Sequence, residues 1–135
     1  MLFRLKAQVS YWLARRLFHW QWFVRRPRGW SWLEGQFARM ANLGDVDAQS
    51  FYGHILTFRG VGLGAREEGL RLLRLAALAG DGKAAYQVGV ISLAGTPSKA
   101  PDPTEAARFW SIAAKAGHPL AELKLKELAA RGDGL

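Results

Sequence analysis

Three stretches decide the fold: Phe37-Ala-Arg-Met-Ala-Asn-Leu-Gly44, Leu73-Arg-Leu-Ala-Ala-Leu-Ala-Gly80 and Trp110-Ser-Ile-Ala-Ala-Lys-Ala-Gly117. They are one phrase written three times. The closing glycines lie 36 and 37 residues apart, and an alanine follows each by four positions: Ala48, Ala84 and Ala121. A fixed period of this length is the mark of stacked helical units. Each unit ends a helix with a glycine, which supplies the left-handed conformation that closes a helix C-terminus. The large residue seven positions before each glycine (Phe37, Leu73, Trp110) is the expected knob between layers. Ala76, Ala77, Ala113 and Ala114, with Ala48 and Ala84 on the partner helices, are expected where helices approach closely. A larger side chain there would overpack by about 1–3 kcal/mol.

Working outward, Ser31 with Glu34 forms a capping box and predicts a helix from about Trp32 to Leu43. Asp45 or Asp47 caps the next, about 46–58. After Gly60-Val-Gly-Leu-Gly64, Glu67 and Glu68 favour a helix at 66–79. Another spans 82–94. The loop Gly95-Thr-Pro-Ser-Lys-Ala-Pro101 follows, and Asp102, Pro103 and Glu105 together start a helix that runs to Ala116. A charged last helix covers about 119–131.

The pattern Ala84…Val88-Gly89…Gly95…Asp102-Pro-Thr-Glu-Ala106…Trp110…Ala113-Ala114-Lys-Ala-Gly117 resembles a Sel-1-like repeat, a relative of the tetratricopeptide α-solenoids. It departs in its proline-rich loop and in Glu105 where the family has Lys. The unit Ala48…Tyr52-Gly53…Gly60-Val61…Ala76-Ala77-Leu-Ala-Gly80 is similar, with Gly69 where Ala is usual. The resemblance covers about 36–130. It implies an all-α, short right-handed α-solenoid of antiparallel helix pairs, about two and a half repeats long. It further implies adaptor or scaffold work, with a partner protein on the helix-A side. Tyr52, His54, Phe58 and Arg59, with Tyr86 and Gln87, are the candidate contacts there.

The chain divides into residues 1–30, outside the resemblance, and a repeat body, 31–135. Net charge is +8, yet residues 1–33 hold seven Arg or Lys and no acid, and five of six tryptophans precede position 33. On a helical period Leu2, Leu5, Val9, Trp12, Leu13, Leu17, Trp20, Phe23 and Val24 share one broad apolar face. Arg4, Gln8, Arg15, His19 and Arg26 line the opposite side, and Arg16 and Lys6 intrude on the apolar face. The helix should stop near Arg25, before Pro27 and Gly29. Three uses compete. The apolar face caps the first repeat. Or it meets a membrane interface or a membrane-bound partner, through Trp12, Arg15, Arg16, Trp20, Trp22, Phe23, Arg25 and Arg26. Or Arg and Trp bind nucleic acid, the least favoured partner because no groove-reading or sheet motif accompanies the charge.

The arginines break any membrane span or signal-peptide core within 2–24. The tryptophan density and scarcity of serine argue against a mitochondrial presequence. With no cysteine, disulfides and thiolate metal sites are excluded. Gly60-Val-Gly62-Leu-Gly-Ala65 imitates a dinucleotide-binding turn, but Asp81 does not end a second strand, and the repeat register explains the same glycines. The three histidines do not cluster. The expectation is a cytoplasmic, non-enzymatic adaptor or accessory subunit without cofactor or metal, peripheral at the inner face of a membrane if its N-terminal helix meets lipid. The alternative is a soluble scaffold whose N-terminal helix only caps it.

Overall fold

A computed structural model describes residues 2–18 and 27–132, with side-chain surroundings given for 4–16 and 31–132. These form seven helices: α1 Leu2–Phe18, α2 Pro27–Asn42, α3 Val46–Arg59, α4 Leu63–Leu78, α5 Gly82–Ala94, α6 Pro103–Lys115 and α7 Ala121–Ala130. The fold is all-α. Helices neighbouring in sequence pack together, most extensively α3 with α4 and α5 with α6; α3 also touches α5, and α4 touches α6.

The thrice-written phrase produces the same turn three times. Gly44, Gly80 and Gly117 have φ of 89°, 100° and 87°. Each glycine N–H donates to the carbonyl three residues back, and the next N–H to the carbonyl five back: Asp45 to Met40 at 3.2 Å, Asp81 to Ala76 at 3.0 Å, His118 to Ala113 at 2.9 Å. That pair of bonds closes the exposed carbonyls of the last turn. After the first two turns an aspartate caps the following helix. Asp45 accepts from the Ala48 N–H at 2.8 Å and Asp81 from the Ala84 N–H at 2.9 Å. Asp102 does the same for α6, accepting from the Glu105 N–H at 3.0 Å with Pro103 in the first turn.

The small–large interlock is present. Phe37, Leu73 and Trp110 are buried, as are Ala48, Ala76, Ala77, Ala84, Ala113 and Ala121, while Ala114 is partly covered. The Trp110 indole lies against Gly89, where a Cβ would overlap it, and donates to the Tyr86 carbonyl at 3.1 Å. Leu73 lies over Gly53 less tightly, its side chain 3.0 Å from where a Cβ would stand. Gly69, unusual for the resembled pattern, sits where α3 and α4 nearly touch. A Cβ there would fall 2.7 Å from the Thr57 nitrogen and 2.9 Å from the Gly53 oxygen.

Several expectations are corrected. Ser31 does not cap a helix: α2 begins at Pro27, whose fixed φ and missing N–H suit a first turn. The 30/31 division therefore falls inside a helix. Of the two aspartates expected to cap α3, Asp45 does so. The fourth helix starts at Leu63, three residues early and without a side-chain cap. The largest correction concerns α1. Its buried side is Ala7, Tyr11 and Ala14, whereas Leu5, Val9, Trp12 and Leu13 are 59%, 58%, 57% and 44% exposed. The apolar face is not laid on the first repeat. Small residues let α1 approach α2 closely, and Tyr11 meets the Phe37 ring edge-on, centroids 6.0 Å apart. The expected stop near Arg25 lies outside the described residues.

Candidate functional site

Two surfaces stand out. The first is a cleft of about 490 Å³ lined by Arg15 of α1, Asp47, Ser50, Phe51 and His54 of α3, Asp81, Gly82 and Lys83 where α5 begins, and Ala116–Pro119 in the α6–α7 turn. Three successive glycine turns create it, because each brings the start of the next helix to the same side. Asp81 serves twice, capping α5 and accepting the Ser50 hydroxyl at 2.8 Å. Asp47 accepts from the Tyr11 hydroxyl at 3.2 Å and pairs with Arg15, whose guanidinium also lies 4.7 Å from the Phe51 ring centre. Burial, aided by the Asp47 carboxylate, raises the Tyr11 pKa well above the ordinary phenol value, so this donor stays protonated.

The two histidines present opposite chemistry. His54 Nδ1 lies 2.6 Å from the Ser50 carbonyl, which can only accept, so its proton is on Nδ1 and the neutral ring leaves Nε2 an acceptor. His118 Nδ1 accepts from the Leu120 N–H at 3.3 Å, so the neutral ring carries its proton on Nε2. His118 is fixed by stacking on Tyr86, centroids 4.3 Å apart and planes 9° from parallel. The cleft therefore offers a donor, an acceptor, an apolar floor and the exposed Lys83 ammonium. These suit a polar chain segment held by hydrogen bonds and one ionic contact. No group of three or more potential metal ligands occurs among the described residues.

The second surface is the outward side of α1. Trp12 carries the Arg16 guanidinium 4.7 Å above its ring, and both are exposed. Arg15 points the other way, into the cleft. Trp20, Trp22, Phe23, Arg25 and Arg26 lie outside the described residues.

Of the candidate contacts on the helix pairs, only His54 lines the cleft, and Tyr86 stands behind it through His118. Phe58 is 63% exposed and stacks on His54, 6.3 Å between centroids. Arg59 is exposed at the end of α3, and Gln87 is half-buried on α5. Tyr52 serves the interior: it packs on Phe37 and donates to Glu34 at 3.3 Å, and burial with that carboxylate pushes its phenol up to about 12. Sequence reasoning missed Asp47, Ser50, Phe51, Asp81, Lys83 and His118 as cleft residues. The repeat register held a signal, since Asp47 and Lys83 occupy equivalent positions three residues after their glycines.

A buried ionic hub was also missed. The Glu105 carboxylate is 6% exposed and accepts from Arg74 through both nitrogens, from Ser92 at 2.9 Å and from Lys99 at 3.2 Å. The Arg74 guanidinium foremost, then the Ser92 hydroxyl and Lys99, hold its pKa down at about 2 despite burial. It ties α4, α5, the 95–102 loop and α6 together.

No protein-family model matches the chain, and no curated protein matches it at a significant level.

Proposed function

We propose that the protein is a non-enzymatic adaptor, a small accessory subunit of a larger membrane-associated assembly. Its helix pairs form a short right-handed solenoid of Sel-1-like type that holds a partner segment in the α1–α3–α5 cleft, and α1 attaches the adaptor. The observation that carries this reading is the setting of α1. The helix is bound to the body by its small face and turned so that its large apolar face is free for something else. The recurring turns and the interlock of Gly53 with Leu73 and Gly89 with Trp110 support the repeat assignment.

The capping alternative has its own support, because Ala7, Tyr11 and Ala14 close the core over Phe37. The two roles use opposite sides of one helix and are compatible. A co-purification from native cells tests the reading. The intact protein should retain a partner that Lys83→Glu and His118→Ala release, while both variants keep the native melting temperature. Equal recovery of the same proteins with these variants would remove the cleft from the proposal. Retention of nucleic acid instead, lost steeply with salt, would favour the nucleic-acid reading.

A further inference from the structure

We infer that the outward face of α1 lies flat on an anionic lipid bilayer. This inference rests on the reading of α1 as the attachment helix and names what it attaches to. Ala7, Tyr11 and Ala14 centre on one side of the helix. At roughly 100° per residue, Leu5, Val9, Trp12 and Leu13 centre about 180° away. One side is fixed to the body, and the other is a straight apolar stripe more than two turns long. Lys6 flanks it on one edge and is exposed. Arg16, in the stripe, lies over the Trp12 ring, where its stem can follow the apolar surface and its head can reach phosphate.

Rotation about the helix axis would hide the stripe, and two contacts oppose it. Tyr11 donates to Asp47, and Arg15 pairs with the same carboxylate while lying over Phe51. The helix thus sorts its cations, with Arg15 turned to the cleft, Arg16 in the apolar stripe and Lys6 at its edge. A second copy is a poor occupant. A two-fold contact through this face would set a basic surface against itself, and no acid exists in residues 1–33 to offset it. An apolar stripe with aromatic and cationic rims and no acid is the arrangement that binds anionic lipid interfaces. No helix among the described residues is long and apolar enough to cross a bilayer. The contact is therefore in the membrane plane.

The test uses the full chain and sedimentation with vesicles. Vesicles of phosphatidylcholine with phosphatidylglycerol should pellet the protein, and pure phosphatidylcholine should pellet much less. Raising salt should weaken the binding. A combined Leu5→Gln, Val9→Gln, Leu13→Gln variant should bind at least about tenfold less, while Leu78→Gln, at an equally exposed site on α4, should bind normally. Circular dichroism melts should show all of them folded. Because the chain has no cysteine, a polarity-sensitive dye on Val9→Cys should shift to the blue on anionic vesicles, and one on Leu78→Cys should not. Failure of the native chain to pellet, or unchanged binding of the folded triple variant, overturns the inference. The attachment reading is judged separately. If the triple variant leaves its cellular assembly although the native chain ignores lipid, α1 meets a protein and only the lipid inference falls. If the variant stays assembled, both fall.

Discussion

The α3–α4 and α5–α6 pairs are written in one pattern and packed in two ways. In α5–α6 the contact is large on small: the Trp110 indole covers Gly89 and hydrogen-bonds to Tyr86. In α3–α4 the knob is only Leu73, and the backbones come together instead, Gly69 against Thr57 and Gly53. A smaller knob leaves a gap that must be closed by approach, and approach requires glycine where α6 carries the buried Ala106. The pairs also differ at their openings. Asp47 on α3 binds α1, whereas its equivalent on α5, Lys83, faces the cleft. The common frame builds the fold, and the departures from it make the surfaces.

This contrast can be broken most severely at the knobs. Trp110→Ala should cost about 4 kcal/mol and Leu73→Ala about 3 kcal/mol, read from urea unfolding, because each leaves a cavity that rigid neighbours cannot fill. Gly69→Ala should cost about 2 kcal/mol, since its methyl would meet backbone rather than a side chain that can move. Ala106→Gly, the reverse exchange in the other pair, should cost only about 1 kcal/mol from helix propensity. Equal effects at 69 and 106 would show that the two pairs are packed alike.

Glu105 sharpens the comparison, because α3–α4 has Glu68 paired with Arg71 on the surface instead of a buried hub. A carboxyl whose folded pKa is about 2, against an ordinary 4.5, stabilises the fold above the unfolded value. That stability, about 3 kcal/mol, should disappear as pH falls from 4.5 towards 2. Unfolding of native and Glu105→Gln chains across this window should converge at the acid end. Asp45→Ala and Asp81→Ala each lose a cap worth about 1 kcal/mol, and Asp81→Ala should cost more because it also releases Ser50. The smallest effect belongs to Asp47→Ala. Its exposed pair with Arg15 contributes under about 1 kcal/mol, so global melting should barely move while amides of α1 exchange faster.

The seven helices, the glycine turns and the Asp102 cap were legible because each depends on residues within one or two turns of chain, whereas Asp81 was not read as a cap. The candidate site was legible only in part. His54 and the exposed Trp12, Arg15 and Arg16 were named, but Glu105 read as a helix-start residue and His118 was not singled out. Their partners lie 31 and 32 residues away in sequence, and no local pattern reports them.

What the sequence by itself determined is the all-helical element order and the small and large positions that interlock, through left-handed glycines, side-chain caps and a 36- to 37-residue period. What only the tertiary structure decided is which side of α1 is buried. Hydrophobicity alone favours hiding Leu5, Val9, Trp12 and Leu13. Ala7 and Ala14 permit closer approach, and Tyr11 finds both the Phe37 ring and the Asp47 carboxylate. Shape and a specific hydrogen bond outweighed apolar area there, and the largest apolar side chains were left facing outward.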